Sequence, residues 1–293
     1  RPDILCIGSV LWDVIGRTGR EMGLGHDVPG RISRLPGGVA LNIAQALVRE
    51  GMRPALRTVL GRDAAGEDLA RAGKAMALDC NFITWHDDLP TDQYMAIEGS
   101  GGLVAAIADA HSLELAGDTI LAPLTDGRLG DQTAPWSGII ALDGNLTEDL
   151  LGGIADNPLF VAADLRLAPA SPGKARRLLP LLTHPGATIY VNRIEADLIC
   201  GTRFETAEQA ARGLRSLGAR RVLVTDGGNE MAEAGPDGVL IALPPPVDVL
   251  RVTGAGDTFM AAHIAAEARG LTGSAALDAA LKITAIYVSE TSL

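Results

Sequence analysis

Cysteine is scarce in this chain. Three residues in 293, Cys6, Cys80 and Cys200, lie far apart and form no CxxC pair. That usage excludes a disulfide framework and a cysteine-built zinc site, and it fits a reducing compartment. The five histidines include no HExxH. Aromatic residues make up only 3% of the chain, so the core has to be built from Leu, Val, Ile and Ala. Positive charge is also short, with 25 Lys and Arg against 36 Asp and Glu and a net charge of −11. A broad basic surface is therefore excluded, and with it nucleic acid as a partner. An anionic ligand would have to be held by local devices such as a helix end, a magnesium ion or one or two arginines. No apolar run reaches the ~18 residues of a membrane span, and the first residues lack the charged-then-apolar pattern of a signal peptide. A cytoplasmic protein with no membrane partner is expected.

Familiar nucleotide and hydrolase motifs are missing too. There is no GxxxxGK[ST] (the PGKA at 172–175 is too short), no GxSxG elbow and no GxGxxG. P-loop, α/β-hydrolase and dinucleotide-binding architectures lose their signatures.

The chain does have 47% hydrophobic residues and 35 glycines, enough for one large α/β domain with a small appendage. Short apolar runs at 3–10, 54–61, 138–145, 159–165, 187–196 and 220–228 read as strands. Segments with helical spacing at 40–51, 66–78 and 207–218 fall among them. This alternation predicts a mainly parallel sheet covered on both faces, with ligands at the carboxyl ends of its strands. Several strands end in polar groups: Asp143 and Asn145, Asp164, Asn192 to Glu195, and Thr225 to Gly228. Two segments break the alternation. One is the Gly/Arg-rich stretch 14–36. The other, 88–109, carries two apolar runs around Gly-Ser-Gly-Gly, a hairpin signal. Together they predict a small β-strand lid, leaving 1–13, 37–87 and 110–293 for the α/β domain.

RVTGAGDTFMAA at 251–262 sets Gly254, Ala255 and Gly256 before Asp257, at the mouth of an alanine-rich helix. Small residues let backbone N–H groups approach an oxyanion, and the adjacent acid is placed to take a proton from a hydroxyl. Phosphoryl transfer needs that pairing. By itself the motif fits a glycine-rich turn with a capping acid equally well.

Two further motifs add to it. RLPGGVALNIAQAL places Gly37 and Gly38 before a helix carrying Asn42, and Asp13 follows the first strand. With VNRIEA, these stretches resemble, in order, the signatures of the PfkB/ribokinase superfamily of sugar and nucleoside kinases, over essentially the whole chain. The resemblance implies a ribokinase-like three-layer α/β/α fold and an ATP-dependent kinase that uses Mg2+. It implies Asp257 as catalytic base and Gly254, Ala255 and Gly256 as the anion hole. Asn192 and Glu195 would organise magnesium through water, and Thr225, Gly227 and Gly228 would contact the ATP phosphates. Asp13, Gly37, Gly38 and Asn42 would hold substrate hydroxyls.

Four stretches, GGVALNIAQAL, GGLVAAIADA, ALDGNLTEDLL and NRIEADLICG, look like pseudouridine kinases in particular. That likeness implies transfer to O5 of pseudouridine, with Tyr94 and Asp109 of the lid at the base. The alternatives are a PfkB-type kinase for another sugar or nucleoside, such as ribose or adenosine, and a non-catalytic nucleoside-binding protein on the same fold. A homodimer through the lid edge is a further expectation of the resemblance.

Departures from the family pattern are also visible. Arg251 stands where many relatives carry an acidic or polar residue at a monovalent-cation site, which makes a potassium requirement doubtful. Leu281 falls where relatives carry an amide near adenine. Arg166 and Lys174 are candidate phosphate partners, with a plain solvated role as the other reading. His263, about two turns after Asp257, reads as packing or surface. Trp12 reads as a substrate wall or as core, and Cys6 as core.

Overall fold

A computed structural model describes residues 1–290. In chain order the strands and helices begin β1 (Ile4–Ile7), β2 (Leu11–Arg17), β3 (Arg31–Gly37), α1 (Val39–Arg49), β4 (Pro54–Arg57), β5 (Val59–Gly61), α2 (Ala64–Ala75) and β6 (Thr84–His86). Then come β7 (Gln93–Gly99), β8 (Gly102–Asp109), α3 (His111–Leu115), β9 (Ile139–Asp143), α4 (Glu148–Asp156), β10 (Asp164–Ala168) and β11 (Ala187–Asn192). The chain closes with α5 (Arg193–Cys200), α6 (Ala207–Ser216), β12 (Arg221–Thr225), β13 (Met231–Gly235), β14 (Gly238–Ala242), α7 (Ala255–Ala268) and α8 (Gly273–Ser289).

The main sheet has eight strands in the order β14-β13-β12-β11-β10-β9-β1-β4, parallel from β4 to β12 and antiparallel at β13 and β14. Its strands are apolar on both faces because both faces are covered. In β1, Leu5 and Ile7 join a core shared with α4, α5 and α6, while Ile4 and Cys6 join one shared with α1, α2, α7 and α8. Each such Leu or Ile contributes about 1.5–3 kcal/mol of burial. Cys6 is a core residue, as its surroundings in the sequence suggest.

The second sheet, β3-β2-β7-β8, grows out of the first. Only three residues, Gly8 to Val10, separate β1 from β2. The register sets Asp13 beside both Leu35 of β3 and Tyr94 of β7. The opposite face presents Ile32, Met95, Ile97 and Ile107, all exposed. This sheet is wider than the segments 14–36 and 88–109 suggest: it starts at Leu11, so Asp13 lies within it, and its first segment ends at Gly37.

Three local expectations shift. The run 159–165 is not a strand: Asn157 Oδ1 accepts from the Leu159 N–H (3.0 Å), the segment Pro158–Phe160 turns as a 3-10 helix, and Phe160 is buried. The strand instead starts at Asp164 and carries Arg166 in its middle. The run 54–61 divides between two sheets at Thr58. The antiparallel pair β13 and β14 closes the sheet beyond the regular alternation.

Candidate active site

The loops at the carboxyl ends of β1, β9 and β10 meet the N-termini of α1 and α7. One buried carboxylate organises the meeting. Asp143 accepts from Ser9 N–H (2.7 Å), Ser9 Oγ (3.0 Å), Ala40 N–H (3.1 Å) and Asn145 N–H (2.7 Å). Burial still holds its pKa above the ordinary carboxylate value, against the pull of those donors. Its side chain also fills the space a Cβ at Gly8 would need. Asp143 is therefore spent on joining β1, β9 and α1.

The turn into α1 is equally tight. Gly38 has φ +100°, and a Cβ there would meet the Ser9 carbonyl. A Cβ at Gly37 would meet the Asp13 carboxylate. The two glycines thus bring the backbone up to Asp13, whose pKa desolvation raises to about 6.

One turn into α1, Asn42 Nδ2 donates to Asp257 Oδ2 at 2.9 Å across 215 residues of sequence. Asp257 is in the first turn of α7. Desolvation pushes its pKa up to about 7; the Asn42 bond opposes this, and the Asp143 and Glu195 carboxylates add to it. Gly254 precedes α7 with φ +81°. The Ala255 N–H is already used on the Val252 carbonyl (3.0 Å). The N–H groups of Gly256 and Asp257 have no acceptor one turn back inside the helix, so they face outward from its positive end. Of the three residues expected to form an anion cradle, Ala255 has its N–H engaged, while those of Gly254 and Gly256 have no backbone acceptor among the described residues.

The 250–254 turn is clamped by the end of α8. Tyr287 donates its hydroxyl to the Thr253 carbonyl (2.9 Å). Arg251 lies on the Tyr287 ring, 3.6 Å from its centroid, and donates from Nε to the Tyr287 carbonyl (2.7 Å). Val288 accepts from the N–H groups of Leu250 and Arg251.

On the other side, Asn192 and Glu195 form a reciprocal cap. Asn192 Oδ1 accepts from Glu195 N–H (2.9 Å) and Glu195 Oε2 accepts from Asn192 N–H (2.8 Å). Burial raises the Glu195 pKa to about 7. The second carboxylate oxygen has no protein partner among the described residues. A rigid, desolvated carboxylate with a free oxygen fits a hydrated divalent cation. Asn192, its own oxygen engaged, orients Glu195. Thr225 ends β12, and Gly227 (φ +61°) and Gly228 follow in an open turn.

Other expected residues are placed differently. Asp109 is opposite Gln93, whereas Tyr94 is opposite Ala108. Side chains alternate along a strand, so Asp109 falls on the face away from Tyr94 and Asp13, where it bonds His111 Nδ1 at 2.6 Å. Arg166 is no loop cation. It is buried under α7, paired with Asp164 (2.6 Å) and Glu267 (2.5 Å), and donates to Tyr190 Oη (2.9 Å). Arg221 joins Glu233 and Glu267 in the same network. His263, fully buried, meets Tyr190 Oη through Nδ1 (2.9 Å), and burial holds its pKa down at about 4. This network fastens α7 to the sheet, so His263 packs rather than reacts. Trp12 is core, with Nε1 donating to the Ala65 carbonyl (2.9 Å), and Leu281 is core as well. Sequence reasoning did not single out Ser9 or Tyr287, because their importance comes only from contacts across the fold.

Among the described residues no helix is long and apolar enough to cross a membrane. Residues 1–126 and 148–293 match the family described as "pfkB family carbohydrate kinase". The pseudouridine kinase of Escherichia coli (strain K12) is 26% identical over 267 residues, covering 88% of this chain and 81% of that protein. The bifunctional protein HldE of Hyphomonas neptunium is 27% identical over 326 residues, covering 98% of this chain but only 60% of HldE. A solved structure, a carbohydrate kinase from Agrobacterium tumefaciens, superposes with TM-score 0.83 at 27% identity, covering 99% of this chain and 92% of that one.

Proposed function

The chain belongs to the pfkB carbohydrate kinase family, an ATP-dependent kinase on a ribokinase-like fold, and on that premise we propose that it phosphorylates a ribose hydroxyl of a nucleoside, converting pseudouridine to pseudouridine 5'-phosphate. The observation that carries the reading is the Asn42–Asp257 bond, which aims a desolvated carboxylate beside two outward-facing amides. Asp257 takes the proton of the attacking hydroxyl as its oxygen bonds the γ-phosphorus. The bond from that phosphorus to the bridging oxygen breaks, and ADP leaves. The amides of Gly256 and Asp257 stabilise the charge that spreads over the transferred group. Asn42 orients the base. Asp13, Gly37 and Gly38 hold the acceptor hydroxyls, and Thr225, Gly227 and Gly228 border the nucleotide phosphates. Glu195, oriented by Asn192, would hold Mg2+ through water, and the ion would supply charge neutralisation at the phosphates.

The pseudouridine assignment draws support from the local sequence likeness and from the E. coli relative that bears that name. Tyr94, on the same lid face as Asp13, would cover the base. A kinase for another sugar is the second reading. It is favoured by Asp109 turning away and by the names of the other relatives. A non-catalytic binder is disfavoured, since it needs neither the base nor its orienting amide. ADP release with Mg-ATP across pseudouridine, uridine, cytidine, adenosine, ribose and fructose 6-phosphate tests these readings. Preference for pseudouridine supports the first. Preference for another acceptor keeps the kinase chemistry and discards the substrate. No turnover, with nucleoside-induced thermal stabilisation, supports the binder. The apolar lid face of Ile32, Met95, Ile97 and Ile107 suits a homodimer, which sedimentation of the wild type and an Ile107→Lys variant would test.

A further inference from the structure

A cationic feature lies beside the floor where β1, β9 and α1 converge, apart from the groups proposed for phosphoryl transfer. The 3-10 segment Pro172–Leu181 follows β10 and carries Lys174 and Arg177. Arg177 is fully occupied. It donates to the carbonyls of Asn145 (3.1 Å) and Leu146 (3.4 Å) and to Glu114 Oε1 (2.9 Å). Lys174 is not. Its ammonium donates to Asn145 Oδ1 at 2.8 Å, and among the described residues it has no other hydrogen bond and no carboxylate within 4.0 Å. An ammonium carries three donors, so two remain to be used. The side chain is half-buried, and desolvation and the nearby Arg177 lower its pKa.

The position of Lys174 is fixed from behind. Asn145 Nδ2 donates to Ser9 Oγ (2.8 Å), and the same oxygen accepts from the Val39 N–H at the start of α1 (2.9 Å). Three residues further on is Asn42, bonded to Asp257. A path of side-chain hydrogen bonds, completed by the first turn of α1, thus connects Lys174 to the proposed base along the floor where β1, β9 and α1 converge. Asp257 and Lys174 stand at its two ends.

We propose that Lys174, held by Asn145, binds an oxygen acceptor on the part of the substrate that points away from the transferred phosphoryl group. The chemistry is that of a base carbonyl of a nucleoside or a phosphate oxygen of a sugar phosphate. Lys174 is thereby a specificity determinant and takes no part in bond making. The inference rests on the acceptor lying between Asp13, Asn42 and Asp257. A half-buried ammonium with spare donors rewards an acceptor that supplies a further oxygen, and leaves a bare sugar without that contribution.

The test compares each acceptor with its truncated form: pseudouridine with ribose, and fructose 6-phosphate with fructose. For Lys174→Met, the KM of the preferred full acceptor should rise by roughly tenfold or more, the size of one lost charge-assisted hydrogen bond. The KM for Mg-ATP should not follow it, and the preference over the truncated sugar should shrink. Asn145→Ala should move the same ratio in the same direction, and Lys174→Arg should restore part of it. Calorimetric binding of the same acceptors with a nonhydrolysable ATP analogue reads the effect without turnover. An equal fall for full and truncated acceptors, a matching rise in the KM for Mg-ATP, or a wild type that prefers the bare sugar overturns the proposal. If fructose 6-phosphate replaces pseudouridine as the acceptor, the nucleoside reading fails, and the Lys174 comparison is decided on the phosphate arm.

Discussion

The hydroxyl of Tyr287 lies where a side chain at Gly254 would begin, 2.5 Å from the position of a Cβ there. Gly254 thus has two reasons to be glycine: its φ of +81° and its neighbour. Gly254→Ala should cost about 1–3 kcal/mol of stability from strain alone and should lower kcat. Tyr287→Phe removes the closest atom and leaves the next at 3.3 Å. The double variant should therefore be less impaired than the sum of the single ones. Urea unfolding and kcat measured around the full cycle check this, and strict additivity would show that the contact is not felt.

Asp257→Asn should keep the fold and lose roughly 10²–10⁴ in kcat, the range expected for a removed general base. In the wild type, kcat/KM should rise with pH through about 7, where the free enzyme's carboxylate ionises. A rate without an acid limb in that region counts against Asp257 as the base.

The same group makes a prediction about stability. Its folded pKa is raised, so between about 4 and about 7 the folded chain holds a proton that the unfolded chain has released. Ionised Asp257 therefore disfavours the metal-free fold as pH rises through that window, and the effect levels off above it. The Tm of Asp257→Asn relative to wild type should climb from pH 5 to pH 8 in the presence of a chelator. A constant difference would contradict the shift.

Arg251 already places a cation against the carbonyl end of α8. A diffusible monovalent ion at its side would be repelled. Turnover should not rise when tetramethylammonium is replaced by potassium. Arg251→Ser should lower turnover and leave it sensitive to potassium. A clear potassium activation of the wild type would refute this role.

Ala77 is the one non-glycine with positive φ among the described residues, at +63° just past α2. The Leu78 N–H there bonds back to the Gly73 carbonyl (3.1 Å), a closure that favours glycine at position 77. Ala77→Gly should stabilise the chain by about 1 kcal/mol, less the entropy that glycine adds to the unfolded state. The net gain is about half a kcal/mol or less, and thermal melting should show a rise of about one degree.

The layered sheet was legible because β1, β9, β11 and β12 are short apolar runs ending in polar residues, a pattern set by burial on both faces. Asp257, Asn42 and the two glycines ahead of α1 were picked out only through the family resemblance, since small residues and one acid at a helix mouth also fit a capped turn; that Asn42 and Asp257 meet is visible only in the fold. Arg166 misled because the strand was read as ending at Asp164, where it in fact starts, which turned a buried strand position into a loop. Asp109 misled because lid register, which decides the facing of every side chain, comes from pairing and not from local pattern. The Tyr287–Gly254 contact had no local signal at all: 33 residues separate two groups that meet only once α7 and α8 pack.

The ion network under α7 also bears on how the molecule tolerates change. Arg166, Arg221 and Glu233, on strands that contribute nothing to the lid, secure the helix that carries Asp257 from beneath through its own Glu267. If the proposed acceptor contacts hold, substitutions in β3, β7, β8 or the segment Pro172–Leu181 would alter which acceptor is admitted without loosening that anchorage. On the proposed site, a lineage with this layout would trade substrates by rewriting one end of the pocket while inheriting the reaction at the other unchanged.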